Sequence, residues 1–264
     1  MMVAKIKAAG ASEVVQIGIS IKEADAHLRE VVIKAAESRG EEAVYVPPFD
    51  HPDIWDGHTT LIDELRQQFN ELGESPPDVI ACSVGGGGLF NGIIQGLEKL
   101  GGAWDATDVL CVETKGCDAL ARSLEASENI TLDAITSQAT SLGARRVSDR
   151  TFDLATRLRA TGRVKNAVLT DAEAAMGCWR FADDERIMVE LACGVNLALC
   201  YGGRLKRALG RPVHPDEKVV IEVCGGNGVT TGMLQQWKQE FAYLDGNEMN
   251  GNEDAIPSMH TGPN

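Results

Sequence analysis

The sequence lacks any run of eighteen apolar residues, so no stretch of it is long enough to span a bilayer as a helix. It also lacks a basic surplus. Twenty-five Lys plus Arg stand against 39 Asp plus Glu, a formal net charge of −14, and a nucleic-acid binder carries the opposite footprint. No CxxC pair occurs, so its seven cysteines give neither a disulfide ladder nor a zinc motif. Reduced thiols in the cytoplasm are the simplest reading. The opening MMVAKIKAAG is too short and too charged for the apolar core of a signal peptide. What is left is a globular chain of 264 residues with 44% hydrophobic residues. That length suits one large domain, or one domain plus part of another.

Glycine is present in excess: 28 residues, about 11% where ~7% is usual. The glycines punctuate an alternation of strands and helices. Residues 3–9 read as the end of a helix with Gly10 as its cap. Glu13 to Ile19 reads as a strand, and Ser20-Ile21-Lys22-Glu23 as a capping box opening a helix on Ile21, Ala24, Leu28, Val31, Val32 and Ala35. Ala43–Val46 reads as a second strand, ended by Pro47-Pro48. A helix is expected through Leu61–Glu71, a buried strand at Val79–Cys82, a helix from Leu89 to about Leu100, and strands at Val109–Glu113 and Ala167–Leu169. Thr170-Asp171-Ala172-Glu173 is a second capping box, 190–209 a long apolar helix, and Val219–Cys224 the last strand. Continuous apolar strands joined by helices imply an α/β fold with a parallel sheet covered on both faces. The tail from Asp245 has little to bury and is expected to be disordered. The break at PPFDHPDIWDG separates a small first lobe from a larger second one.

The segment Ser83-Val84-Gly85-Gly86-Gly87-Gly88-Leu89 joins a strand to a helix. Four glycines leave their backbone N–H groups uncovered, and the helix adds the positive end of its dipole, which together suit a phosphate. A flexible turn is the plainer alternative. A P-loop would end in Gly-Lys-Ser/Thr, but Leu89-Phe90 follow here. A dinucleotide site wants G-x-G-x-x-G, and the spacing is wrong although Glu113 lies at about the right distance for the acid. A cofactor carrying one phosphate monoester fits the loop best.

With these residues in place the chain resembles the fold-type II pyridoxal-phosphate enzymes, a three-layer, tryptophan synthase β-like α/β fold. Within them it most resembles the L-serine dehydratase (L-serine ammonia-lyase) and L-threonine deaminase group. The likeness is carried in order by Tyr45–Asp50, Ile54–His58, the glycine loop, Val112-Glu113-Thr114, Ile135–Ser137 with Ser141–Gly143, Val189–Gly194 and Val223–Asn227. It implies that Gly85, Gly86, Gly87, Gly88 and Leu89 hold the phosphate of pyridoxal phosphate. It implies that Cys224 faces the pyridine nitrogen, a neutral partner that suits expulsion of a β-hydroxyl. It further implies a monovalent cation such as potassium on Glu113 and the carbonyls of Gly85, Cys117, Leu142 and Ala144. The implied activity is β-elimination of L-serine, or of L-threonine, in a homodimer. The position of Leu191 is usually proline in such relatives.

The lysine that forms a Schiff base in this group has no counterpart: Lys5, Lys7, Lys22 and Lys34 precede the loop, and all read as solvated helix faces. No residue is therefore assigned as catalytic. The likeness divides the chain into 1–50, the carboxyl half of a small domain; 51–244, a large cofactor domain; and the tail, 245–264. It also makes this an amino-terminally shortened member with exposed sheet edges, expected to aggregate, to turn over no substrate, and to stand as a remnant or regulatory pseudoenzyme if it turns over none.

Overall fold

The computed structural model describes residues 2–246. Four parallel strands form one sheet: β1 (Val79–Ser83), β2 (Asp108–Thr114), β3 (Val164–Leu169) and β4 (Val219–Ile221), in the spatial order β3-β2-β1-β4. Cys82 of β1 pairs with Cys111 of β2, and Val79 with Val219 of β4. Alternate residues of β1 and β2 enter two separate cores, because successive side chains point to opposite faces. Ile80, Cys82, Val109 and Cys111 join Phe90, Ile93, Leu97, Leu120 and Leu154 on one face. Val79, Ala81, Leu110 and Val112 join Met176, Trp179, Val195 and Leu197 on the other. The expected double-faced parallel sheet is thus present.

The amino-terminal segment holds α1 (Met2–Ala8) and then α2 (Ile21–His27), which continues through a π-helical stretch, Leu28–Ile33, into α3 (Lys34–Ser38). Ser20 caps α2 by accepting from the Glu23 N–H, but the Glu23 carboxylate accepts from Ile19 N rather than closing the box. Neither Glu13–Ile19 nor Ala43–Val46 is a strand. Their alternating apolar pattern is real, but among the described residues no neighbouring strand lies alongside to pair with. Ile19, Val44 and Val46 consequently stand 92%, 81% and 75% exposed.

Helix α4 (Pro52–Leu72) starts nine residues earlier than the apolar spacing suggested, because His51 accepts from the Asp53 N–H and Pro52 occupies the first helical position. α4 lies on α5 (Gly88–Leu100) so closely that a side chain at Gly92 would meet the Trp55 carbonyl at 2.7 Å. Two helices complete that face: α6 (Ala119–Ala126) and α7 (Asp149–Ala160). α8 (Asp171–Glu185) opens the second face with a full capping box between Thr170 and Glu173.

The long helix expected over 190–209 is instead α9 (Leu191–Leu197), a 3-10 turn at Ala198–Cys200, and α10 (Arg204–Leu209). Gly202 and Gly203, both at positive φ, break it. β4 ends at Ile221, short of the expected Cys224, and α11 (Thr231–Glu240) and α12 (Tyr243–Gly246) follow. Beyond its first two positions, the tail expected to be disordered lies outside the described residues. Among the described residues no helix is long and apolar enough to cross a membrane, and the seven cysteines are free thiols.

Candidate functional site

Parallel strands gather their carboxyl ends on one edge, where ligands bind in open α/β sheets. Three of the segments singled out in the sequence meet there. The glycine loop leaves β1, Glu113 closes β2, and Cys224 follows β4. The glycine-loop and Cys224 arms, on neighbouring strands, touch, with Ser83 Oγ 3.9 Å from Cys224 Sγ.

The loop runs into α5, and Gly87 is its N-cap at φ +98°. None of the N–H groups of Gly85, Gly86, Gly87, Gly88 and Leu89 donates to a protein acceptor among the described residues. Five unclaimed donors in sequence at the head of a 13-residue helix form a set suited to an anion and to nothing positively charged. The carbonyls of Gly86 and Gly87, by contrast, are committed. Gly86 O accepts from Ser148 N at 3.0 Å, and Gly87 O accepts from Asn91 N at 2.9 Å. The glycines are also required by packing. A side chain at Gly86 would overlap the Phe49 ring, one at Gly87 would overlap the Thr151 side chain, and one at Gly88 would meet Phe49 O at 2.8 Å. The residues present therefore fit the phosphate of a cofactor.

On the other arm, Gly225 and Gly226 are at positive φ. Glu190 holds this turn from below: its N–H donates to Gly225 O at 2.9 Å and its carboxylate accepts from Gly228 N at 2.6 Å. Cys224 itself is exposed. Its hydrogen bond with Cys193 pushes the thiol above the ordinary range, which keeps it neutral. Lys5 departs from the solvated helix face expected of it. Its ammonium donates to the carbonyl and the side-chain oxygen of Asn227, the latter at 2.7 Å, tying α1 to this arm. Lys7, Lys22 and Lys34 are exposed, as expected.

Glu113 is fully buried. Its carboxylate accepts from Leu120 N and Ala121 N, both at 2.8 Å, at the head of α6, and from Asn166 Nδ2 at 2.9 Å. Burial outweighs these bonds and raises its pKa to about 7. Gly85 lies against the backbone of Leu142, and Ala144 N donates to Leu142 O at 2.8 Å, so these three residues are backbone neighbours. Cys117 is buried nearby with its thiol on Ala139 O, and Glu113 faces α6.

Sequence reasoning missed Phe49, Asn91, Ser148, Thr151 and Glu190 as parts of this site. Phe49 and Glu190 fall within segments already noted for likeness, and Ser148-Asp149-Arg150-Thr151 carries a readable N-cap, with Ser148 accepting from Thr151 N at 3.1 Å. Nothing local connected them to the loop.

Comparison with known proteins bears on what the loop holds. A family described as pyridoxal-phosphate dependent enzymes matches residues 1–225. An L-serine dehydratase of Saccharomyces cerevisiae (strain AWRI1631) is 40% identical over 232 residues, covering 87% of this chain and 67% of that protein. A second S. cerevisiae protein, described as a truncated L-serine dehydratase, is 41% identical over 200 residues, covering 74% of this chain and 93% of that one. Among solved structures, an L-serine ammonia-lyase from the fungus Rhizomucor miehei superposes with a TM-score of 0.76 at 32% identity, covering 91% of this chain and 70% of that one. The chain thus spans about two thirds of the length of the first of these relatives.

Proposed function

This chain belongs to the family of pyridoxal-phosphate dependent enzymes, and from that premise we propose that it is an L-serine dehydratase-like protein. In this reading residues 51–244 form the cofactor domain, 1–50 belong to a smaller one, and the protein works in the cytoplasm as a homodimer on an amino-acid substrate. The N–H groups of Gly85–Leu89 take the phosphate. The observation that carries the reading is that all five lack a protein acceptor among the described residues while the Gly86 and Gly87 carbonyls are turned elsewhere.

Pyridoxal phosphate, when bound, supplies the electron sink that lets an amino-acid α-proton leave and the β-hydroxyl depart, giving pyruvate and ammonia from L-serine. The chain's own residues shape that preference. Cys224 would face the ring nitrogen as a neutral thiol and would offer it no negative charge. Glu190 fixes the turn that presents Cys224. The carbonyls of Gly85, Cys117, Leu142 and Ala144 would hold a potassium ion, and the Glu113 carboxylate would join them only by leaving its donors at the head of α6 and on Asn166. The backbone proximity of Gly85 and Ala144 to Leu142 supports that assignment.

The amine that would take the α-proton is not among the residues assigned, so these 264 residues bind cofactor without turnover. The match to a truncated relative across 93% of its length favours this non-catalytic reading. The test is release of pyruvate from L-serine, and of 2-oxobutanoate from L-threonine, by the purified chain with added cofactor and potassium. No product above the blank is expected. Chain-dependent pyruvate would overturn the non-catalytic reading, and 2-oxobutanoate without pyruvate would move the substrate to threonine.

A further inference from the structure

A buried ring of three polar side chains lies under the glycine loop. Asn91, Ser148 and Thr151 are 0%, 5% and 0% exposed and come from α5, the cap of α7 and the first turn of α7. Asn91 Nδ2 donates to Ser148 Oγ at 3.3 Å. Ser148 Oγ and Thr151 Oγ1 are 2.8 Å apart. The Thr151 hydroxyl in turn lies 3.1 Å from Asn91 Oδ1 and 3.3 Å from Gly86 O, with one proton to give to the pair of acceptors. The ring closes on itself and on the loop, and Ser148 N adds its own bond to Gly86 O.

The consequence follows from the planarity of the peptide. In a trans peptide the C=O of one residue and the N–H of the next point in opposite directions. Two donors from α7 fix the Gly86 carbonyl toward that helix, so the Gly87 N–H must point away from it. The same holds one step on. Asn91 N fixes Gly87 O and aims the Gly88 N–H outward. Four consecutive glycines have no side chains to restrain them and would otherwise sample many conformations. We propose that Thr151, supported by Ser148 and Asn91, is a positioning residue that aims the Gly87 amide at the bound phosphate. The Thr151 side chain occupies the space a Gly87 side chain would need, so it both demands the glycine and orients its peptide. A donor set held in place before the ligand arrives binds more tightly than one that must order itself.

The inference rests on the loop holding a phosphate, and the experiment separates the two. Binding of inorganic phosphate and of pyridoxal phosphate is measured for the wild-type chain, Thr151→Val, Thr151→Ser and Ser148→Ala, each well below its own melting temperature. If the wild-type chain binds neither ligand, the phosphate reading fails and this inference with it. Given wild-type binding, T151V should bind both ligands about ten-fold more weakly, the equivalent of one neutral hydrogen bond. T151S, which keeps the hydroxyl, should stay within about two-fold of wild type. A merely structural role would lower the melting temperature of T151V and leave phosphate affinity unchanged, and that result overturns the inference. Should T151V not fold, S148A carries the test. It leaves the Ser148 N–H on Gly86 but removes the hydroxyl that orients Thr151. Phosphate affinity weakened about three-fold supports the inference, and wild-type affinity overturns it.

Discussion

Replacing Gly87 with valine should disrupt the glycine loop and destabilise the fold by about 4 kcal/mol. Two independent costs add. At φ +98° a β-branched residue is strained, by roughly 1–3 kcal/mol. Its side chain would also overlap Oγ1, Cγ2 and Cβ of Thr151, which is fully buried and hydrogen-bonded and cannot swing aside, and such overpacking costs about 1–3 kcal/mol. Urea unfolding of the variant beside Gly40→Val is the check. Gly40 also has positive φ, but nothing lies within 4 Å of where its side chain would begin. The variant at position 40 should therefore show the backbone strain alone. Equal losses at the two positions would mean that the Thr151 contact contributes nothing.

Removing the carboxylate of Glu173 should cost a comparable amount for an electrostatic reason. Glu173 closes the capping box of α8 with Oε2 on Thr170 N at 2.9 Å, while Oε1 accepts from Arg204 Nε at 3.0 Å and from Arg207. The Arg204 side chain is only 7% exposed. Glu173→Ala strands that cation in the core, a loss of about 3–5 kcal/mol. Arg207 is mostly exposed and adds little.

The same group sets a pH dependence. Burial alone would raise the Glu173 pKa, but the Thr170 bond and the two arginines outweigh it and hold the carboxyl below its ordinary 4.5. A carboxyl whose folded pKa is depressed stabilises the fold above the unfolded value, and that contribution is lost as pH falls through the folded one. Stability should therefore drop as pH is lowered below about 4.5. Glu173→Gln, which keeps shape and some hydrogen bonding, should flatten that part of the curve. An identical acid slope in the variant would assign the effect to other carboxylates.

The centre of the sheet could be read from sequence because β1 and β2 are largely apolar runs buried on both faces. β1, β2 and β3 lie where Val79–Cys82, Val109–Glu113 and Ala167–Leu169 pointed, each extended by one to three residues. The same signal failed at Glu13–Ile19 and Ala43–Val46, because alternation records what a segment could bury and not whether a partner is there. The break in 190–209 was visible as Gly202-Gly203 but was outweighed by the apolar composition on either side.

The site divides the same way. The glycine loop is a local run and announces itself. Thr151 acts on Gly86 across 65 residues, and Lys5 reaches Asn227 across 222. Contacts of that kind are set by the fold, and no spacing rule in a single sequence carries them.

The measurement that bears most directly on the account is a cofactor titration of the purified chain with pyridoxal phosphate, followed by borohydride reduction, denaturation and peptide mapping. Saturable binding of one cofactor per chain, competed by inorganic phosphate, is expected, with no lysine peptide carrying the cofactor after reduction. Binding that phosphate does not compete, or stoichiometric fixation on a lysine, Lys5 first among those to inspect, would contradict it.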